Sequence, residues 1–151
     1  MKIMVEEVAL ELAYTAGIMD GEGSIMIQKT QGYTKLSDHY FRLIVVIANT
    51  DSWLIVWLHT TYGGYMYDTP AKPGCKPLFT WRITGKPAKV FLESILPYLH
   101  IKKPQAELAI KFQGNKKPRF GKKVKAYGSE ELVLQEADRI LMASLNKKGV
   151  E

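Results

Sequence analysis

Two acidic residues, Asp20 and Glu22, lie in a glycine-rich run of the chain, TAGIMDGEGSI at residues 15–25. Before this run, small and apolar residues recur at steps of three and four, as on the packed side of a helix. After it, residues 24–28 alternate as in a strand. The C-terminal end of a helix already carries partial negative charge, so carboxylates placed there need a compensating cation. A divalent metal ion would supply that charge, and the run is therefore a candidate metal site.

Two simpler interpretations compete with a metal site. The sequence Asp-Gly-Glu-Gly also favours an ordinary tight turn. A calcium-binding loop is excluded, because its sixth position would be Ile25 instead of glycine and its twelfth Gln31 instead of glutamate. An ordinary turn does not account for the small residues around it, which would let two helices pack closely by their small faces. Those residues are Ala13, Ala16, Gly17 and Gly21.

Three segments, in order along the chain, carry a family resemblance. Residues 15–23 resemble the LAGLIDADG motif of homing endonucleases, with Thr15 in place of the first leucine and Glu22 in place of the second aspartate. Residues 49–54, followed by two glycines at 63 and 64, resemble the second helix of that fold and its turn. Residues 96–106 resemble the segment that carries the family's active-site lysine. The matches cover most of residues 8–110, and three at suitable spacings favour the family over coincidence.

The resemblance implies an α+β fold of the αββαββα type, with an antiparallel, saddle-shaped sheet of four strands and helices on one face. The 151 residues suit one domain, expected to span residues 1–151. Periodicity and turn residues predict an element order that agrees. The predicted helices are Val5–Met19, Ser52–Tyr62, Lys89–Tyr98, Gln105–Phe112 and about 129–146, and the predicted strands are Ser24–Thr30, Tyr40–Ala48, Tyr65–Thr69 and Leu78–Thr84. The last helix carries a largely apolar stripe that includes Leu132, Val133, Ile140 and Leu141.

The chain is basic, with 21 Lys and Arg against 15 Asp and Glu, a net charge of +6 that favours polyanionic partners. Residues 113–128 contain no acid, and Gly114, Pro118 and Gly121 are expected to break any helix there. A solvated loop is one interpretation, because blocks of like charge repel. The resemblance favours the other, an arm that neutralises DNA phosphates. Its predicted DNA-binding residues are Lys116, Lys117, Arg119, Lys122 and Lys123.

The resemblance assigns the metal chemistry to the first of the three segments. Hydrolysis of a phosphodiester needs a nucleophilic water, neutralisation of the developing charge and help for the leaving oxygen, and divalent ions supply all three. Glu22 matches the family's metal-binding acid, Gly21 would contribute its backbone carbonyl, and Asp20 would shape the helix end and the water network. The expected ion is Mg²⁺, which needs few protein ligands because it keeps several waters; Mn²⁺ or Ca²⁺ would also fit the site.

The other two segments supply further candidates. Lys102 lies where the family keeps a basic residue near the scissile phosphate, where it would stabilise negative charge or tune the attacking water. The alternative is that Lys102 only binds a DNA phosphate and has no part in the chemistry. The adjacent Lys103 is assigned to DNA binding. Asn49 falls where the family often has a polar side chain that positions water. Asp51 suits a helix cap as well as it suits chemistry.

The sheet face opposite the helices is predicted to be polar and to fit the DNA major groove, where base edges present distinct donors and acceptors. Gln28 suits adenine, Arg42 suits guanine, and Met26 suits a thymine methyl. For any single residue, an exposed position in water is nearly as good an explanation as a base contact. The alternation therefore supports the existence of a polar face better than it supports any individual base contact. The predicted DNA-binding residues of the sheet are Ser24, Met26, Gln28, Thr30, Tyr40, Arg42, Tyr67, Thr80 and Arg82.

One motif per chain implies an assembly, since cutting a duplex requires two cleavage events and one acid supplies half of a site. The resemblance implies a homodimer packed through Ala13, Ala16, Gly17 and Gly21, which would recognise a long pseudo-palindromic target. The resulting hypothesis is a Mg²⁺-dependent, site-specific double-strand DNA endonuclease that cuts across the minor groove and leaves short 3′ overhangs. The alternatives on the same scaffold are an RNA-binding maturase that assists intron splicing and a DNA-binding regulator that has lost cleavage.

Other classes of protein find little support in the sequence. Cys75 is the single cysteine, which excludes an intramolecular disulfide, and the three histidines lack the spacing of zinc ligands. No apolar run approaches membrane-spanning length, so no membrane partner is expected. The acidic, arginine-free residues 1–11 do not resemble a targeting peptide. We therefore expect an intracellular protein.

Overall fold

The computed structural model describes residues 2–31, 40–116 and 129–147, and within these ranges the elements follow the predicted order. The helices are α1 (Lys2–Glu22), α2 (Ser52–Tyr62), α3 (Gly85–Ile95), α4 (Lys103–Asn115) and α5 (Ser129–Leu145), the strands are β1 (Gly23–Thr30), β2 (Tyr40–Asn49), β3 (Tyr65–Thr69) and β4 (Leu78–Thr84), and a 3₁₀ turn (Leu96–Tyr98) follows α3. The bounds of α2, β3 and β4 are those predicted. None of the described helices is both long and apolar enough to cross a membrane.

The four strands form one antiparallel sheet in the order β1-β2-β4-β3. Ile25 lies opposite Val45, which in turn lies opposite Ile83, so these three side chains share a face. That face is buried under the helices, in one core with Phe91 of α3 and Phe112 of α4. The buried side chains on this face of the sheet are Ile25, Ile27, Phe41, Leu43, Val45, Ile47, Trp81 and Ile83. The predicted α+β class, with helices on one face of an antiparallel sheet, is confirmed.

Helix α1 is longer than predicted at both ends, and its C-terminal extension changes the setting of the acids. It continues to Glu22, so Asp20 and Glu22 lie in its last turn and not in a turn after it. Strand β1 begins at the next residue. A Cβ atom on Gly23 would come 2.8 Å from the carbonyl oxygen of Met19 and closer still to its sulfur. Glycine at this position therefore permits the immediate change from helix to strand.

Thr15, which stands where the resembled motif has leucine, is fully buried in a polar pair. Its hydroxyl donates to the backbone carbonyl of Glu11 at 2.9 Å and lies 2.7 Å from the hydroxyl of Tyr62. Because a threonine hydroxyl has one proton, Tyr62 is the donor of the second bond. The Tyr62 ring packs edge-on against Trp57 and Phe91. Burial raises the pKa of Tyr62 above its ordinary value of 10.0. The pair joins the middle of α1 to the end of α2.

Helices α3 and α4 begin earlier than predicted, because each accommodates a proline in its first turn. Pro87 and Pro104 lie where a helix has no hydrogen bond to lose. Helix α4 also continues past the predicted end, through Gly114 to Asn115. The first residues of the predicted basic loop are therefore helical, and residues 117–128 lie outside the described part of the chain.

Helix α5 turns a different face to the protein from its apolar stripe. Gln135 and Met142 are buried, whereas Val133 is 67% exposed and Ile140 56%. The inward side makes polar contacts: Glu136 pairs with Arg139 at 2.6 Å and lies 3.7 Å from Lys29 of β1, and Asn146 donates to the carbonyl of Ile25 at 2.8 Å. Because β1 is an edge strand, it offers unpaired carbonyls to such donors. The inward side of α5 thus combines apolar burial of Met142 with polar contacts to β1.

Candidate active site

Glu22 and Asn49 meet where α1 and β2 end. Asn49 Nδ2 donates to Glu22 Oε2 at 2.6 Å, and Asn49 Oδ1 accepts from the backbone N–H of Asp51 at 2.8 Å. Since a backbone N–H can only donate, the asparagine oxygen must face Asp51 and its nitrogen must face Glu22. The amide therefore orients the carboxylate. Glu22 remains exposed, and its Oε1 has no hydrogen-bond partner within the described ranges.

Asp51 acts as the N-cap of α2. Its Oδ1 accepts from the backbone N–H of Trp53 at 2.9 Å, which satisfies one of the donors left unpaired at a helix start. The capping interpretation of Asp51 is confirmed. Together with the bond from Asp51 to Asn49, this cap connects the first turn of α2 to the carboxylate of Glu22.

The carboxylate of Asp20 faces the segment that leads into α4. Its Oδ2 accepts from the backbone N–H of His100 at 3.0 Å, and its Oδ1 accepts from those of Ile101 at 3.1 Å and Lys102 at 2.9 Å. Three successive amides form a concave anion site, and the start of a helix adds partial positive charge. The expectation that both acids need a metal cation is therefore wrong for Asp20, because backbone amides compensate its charge.

Lys102 is held over the last turn of α1. Its ammonium donates to the backbone carbonyl of Asp20 at 2.6 Å, and the residue is half-buried. Lys103 is instead the exposed first residue of α4. Of the two neighbouring lysines, Lys102 is therefore the one fixed at the end of α1. Its contact there is with Asp20, which precedes Glu22 by two residues.

The end of α1 offers oxygen donors that could hold a metal ion. Nowhere in the described ranges do three or more His, Cys, Asp or Glu side chains form a group that could hold a metal ion. The exposed carboxylate of Glu22 and the adjoining carbonyl of Gly21 are hard oxygen ligands, which suit Mg²⁺ or Ca²⁺ better than zinc. One carboxylate with bound waters fits Mg²⁺, because this ion is usually held by one or two carboxylates.

The sheet face away from the helices has the predicted parity. Thr80 is an exception in its exposure: it shares the face, but only 5% of its surface is exposed because Ala48 and Tyr67 flank it on the neighbouring strands. The prediction that Thr80 is available to a base is therefore wrong for this structure. Of the other predicted contacts, Ser24, Met26, Gln28, Arg42 and Tyr67 are exposed, and Thr30, Tyr40 and Arg82 are half-buried.

The register adds two observations to this face. Gln28 lies directly opposite Arg42, so two exposed polar side chains adjoin on neighbouring strands. Tyr65 lies opposite Arg82 and is 67% exposed. The sequence analysis did not select Tyr65, although its two-residue offset from Tyr67 predicts the same face. Ile44, in the middle of the same face, is only 2% exposed, so this face is not polar throughout.

The basic stretch is represented in the described residues by Lys116. Its ammonium donates to the carbonyl of Phe41 at 2.5 Å and lies 5.3 Å from the centre of the Phe112 ring. The ammonium thus contacts the protein itself at the end of the sheet. The other predicted DNA-binding residues of this stretch lie outside the described residues: Lys117, Arg119, Lys122 and Lys123.

The small residues of α1 divide between two faces. Ala13, Gly17 and Gly21 are exposed and four residues apart, so they share one side of the helix. A Cβ atom on Gly17 or Gly21 would meet nothing within 4 Å, so packing within the chain does not require glycine there. Ala16 is fully buried in the core, because it lies about 100° around the helix from Gly17. Its assignment to an intermolecular surface is therefore wrong.

Comparisons with known proteins identify the fold. No family sequence model and no curated protein sequence matches the chain. The homing endonuclease I-CvuI, in complex with an I-CreI target left uncleaved in 2 mM Mg, superposes with a TM-score of 0.73 at 19% identity, over 96% of this chain and 87% of that one. An archaeal intron-encoded homing endonuclease complexed with DNA gives 0.72 at 12% identity, over 95% and 88%. The LAGLIDADG homing endonuclease I-GzeII, with its DNA target, gives 0.65 at 19% identity, over 85% and 43%.

These similarities define the class of fold. The chain has the fold of the LAGLIDADG homing endonucleases. Residues 15–23, which resemble their motif, form the C-terminal part of α1 and the first residue of β1. The backbone amides of His100 and Ile101 are the part of the candidate site that sequence reasoning missed, because main-chain donors leave no side-chain signal.

Proposed function

We propose that this protein is a site-specific, metal-dependent endonuclease of the homing type, acting on double-stranded DNA. The observation that carries the proposal is the position of Glu22. An exposed carboxylate, oriented by Asn49, ends α1 two residues after Asp20, whose backbone carbonyl accepts from the Lys102 ammonium. The next residue begins β1, the strand whose exposed face carries Ser24, Met26 and Gln28.

The residues of the sheet face and those at the end of α1 have different roles in phosphodiester hydrolysis. The sheet face holds the duplex, with base edges against Gln28 and Arg42. Glu22 and the Gly21 carbonyl would hold Mg²⁺, which supplies an activated water and neutralises charge on the phosphate when bound. Lys102 brings positive charge to the same place. Asp20 contacts no substrate atom; it fixes the backbone at Lys102.

The proposed active form is a homodimer. Cleavage of both DNA strands requires two metal-binding acids, and each chain supplies one, Glu22. The exposed side of α1 that carries Ala13, Gly17 and Gly21 permits a second α1 to approach closely. A two-fold axis beside this helix would bring the two Glu22 side chains together and would match a pseudo-palindromic target.

A randomised duplex library incubated with the protein and Mg²⁺ tests the proposal, with Glu22→Gln as the matched control. We expect the wild-type protein to cut a defined set of duplex sequences on both strands, and the Glu22→Gln control to cut none. Tight binding of structured RNA without cleavage of any duplex would support the maturase alternative and contradict the endonuclease. Selective duplex binding without cleavage by the wild-type protein would support the regulator.

A further inference from the structure

An aromatic ladder lies on the surface where α2 adjoins α1. Trp53 is 61% exposed, and its ring stacks on that of Trp57, with centroids 6.1 Å apart and planes 10° from parallel. Trp57 in turn meets the ring of Tyr14 edge-on at 5.6 Å, and Tyr14 is 52% exposed. Two large aromatic side chains, each more than half exposed, thus leave apolar area in water beside one another.

The position of the ladder along α1 follows from the contacts at its two ends. Asn49 meets Glu22 at the start of α2, whereas Trp57 meets Tyr14 eight residues further along α2 and eight residues earlier on α1. The two helices therefore run in opposite directions, side by side. Trp53 lies between these contacts, level with the part of α1 that carries the exposed Gly17 and Gly21.

We propose that the ladder of Tyr14, Trp53 and Trp57 is the hydrophobic anchor of the homodimer interface, and that its occupant is α1 and the ladder of a second copy. This inference rests on the proposed function, which requires a homodimer. Tyr14 lies three residues before Gly17 and seven before Gly21, so it is on the same side of α1 as these glycines. The glycines set how closely the helices approach, and the aromatic rings supply the buried area.

The area needed supports this division. A specific interface buries roughly 800 Å² on each partner. Glycine and alanine contribute little to that sum, whereas a large aromatic side chain that is more than half exposed still has on the order of 100 Å² left to bury. Trp53 at 61% exposure, Tyr14 at 52% and Leu10 at 70%, on the same side of α1, supply part of the area that the small residues lack. Tryptophan and tyrosine are also the residues most enriched among those that dominate interface energies.

The ladder is also connected to the candidate active site. The backbone N–H of Trp53 donates to Asp51, that of Asp51 donates to Asn49, and the amide of Asn49 donates to Glu22. Burial of Trp53 against a second copy would restrain the first turn of α2 and with it the orientation of the Glu22 carboxylate. Dimer formation and the geometry of the acid are therefore coupled.

Sedimentation over a range of protein concentrations, without DNA, tests the ladder directly. We expect Trp53→Ala to raise the dimer dissociation constant at least about 30-fold, or roughly 2 kcal/mol at 1.4 kcal/mol per tenfold. Trp53→Phe should restore much of the affinity. Leu134→Ala, on the exposed face of α5 at 67% exposure, is the matched control and should leave the constant unchanged.

Tryptophan fluorescence provides an independent readout. Trp81 is fully buried, so a blue shift with rising concentration reports on Trp53 and Trp57. A wild-type dimer whose dissociation constant is unchanged by Trp53→Ala would overturn this inference and leave the proposed function standing. A wild-type chain that stays monomeric at every concentration and on DNA would overturn the inference together with the homodimer on which it rests.

Discussion

Asp20 and Lys102 are joined by two reciprocal hydrogen bonds, each of which pairs a side chain with a backbone group. The carboxylate of Asp20 accepts from the backbone N–H of Lys102 at 2.9 Å, and the backbone carbonyl of Asp20 accepts from the lysine ammonium at 2.6 Å. The end of α1 and the start of α4 are thereby fixed to each other. Since Glu22 is two residues beyond Asp20, the ammonium and the proposed metal-binding acid have a defined relative position.

Asp20→Asn is predicted to reduce the cleavage rate about 10- to 100-fold while DNA affinity is retained, as is usual when a supporting hydrogen bond of a metal site is removed. The asparagine nitrogen would set a donor against the donor amides of His100 to Lys102. Single-turnover cleavage and equilibrium binding measure the two effects separately. Asp51→Asn is the matched control, because asparagine caps a helix as well as aspartate does. A wild-type cleavage rate in Asp20→Asn would refute the positioning role.

Asn49→Ala is predicted to raise the Mg²⁺ concentration needed for half-maximal cleavage by about 10- to 100-fold, because Glu22 loses the donor that orients it. Asn49→Asp should be more damaging, since it would place a second carboxylate against the first. A metal titration of the cleavage rate measures both. Asn115→Ala, at the exposed end of α4, is the control. An unchanged metal requirement in Asn49→Ala would show that the 2.6 Å bond has no part in metal binding.

Thr15→Val is predicted to destabilise the fold by about 1 kcal/mol, because it leaves the half-buried hydroxyl of Tyr62 without its partner. Tyr62→Phe leaves no such orphan, since Thr15 still donates to Glu11. In denaturant unfolding, the double variant should therefore be less destabilised than the sum of the single variants. Additive effects would argue against a direct Thr15–Tyr62 hydrogen bond.

The same pair predicts how stability depends on alkaline pH. Because burial raises the pKa of Tyr62 in the folded protein above its unfolded value near 10.0, folding favours the neutral phenol. This contribution is complete below pH 10 and is lost as the pH rises through the folded pKa. Unfolding between pH 9 and 12 should show a smaller loss in Tyr62→Phe than in the wild-type protein. An equal loss in both would assign the alkaline transition to other groups.

Gln28→Ala and Arg42→Ala are predicted to relax target preference at adjoining base pairs, since the two residues lie directly opposite each other on β1 and β2. Each bidentate contact that is lost should cost about 1–3 kcal/mol of discrimination at its position. Selection of cleavable sites from a randomised duplex measures this. Glu93→Ala, on the exposed surface of α3, is the control. Unchanged preference in both variants would place base recognition elsewhere on the face.

The sequence predicted those elements whose ends have local signals. Helix α2 is bounded by the Asp51 cap and by Gly63, whose φ of 77° suits glycine, and both ends were predicted correctly. The end of α1 was not, because its glycines suggested a turn, whereas the helix continues to Glu22 and Asp20 bonds to the residues before α4. Local propensity is a weak prior that such tertiary contacts override.

The candidate site was predictable only where its chemistry belongs to side chains. The motif at residues 15–23 predicted Glu22 and the segment at residues 96–106 predicted Lys102, and the fold brings both segments to the end of α1. The partners of Asp20 are main-chain amides 80 or more residues away, which no side-chain pattern encodes. The inward face of α5 was likewise missed, because it carries the buried Gln135 and an ion pair from Glu136 to Lys29, which hydropathy does not report.

Strand scission of one duplex, chosen from the library for tight binding, decides whether Glu22 is the metal-binding acid of a double-strand endonuclease. The wild-type protein and Glu22→Gln are compared on this duplex in Mg²⁺ and in EDTA, with both strands end-labelled. We expect the wild-type protein to cut both strands in Mg²⁺ and neither in EDTA, and Glu22→Gln to bind the duplex but cut neither strand. Cleavage by Glu22→Gln at the wild-type rate, or a wild-type protein that binds the duplex and never cuts it in Mg²⁺, would contradict this expectation.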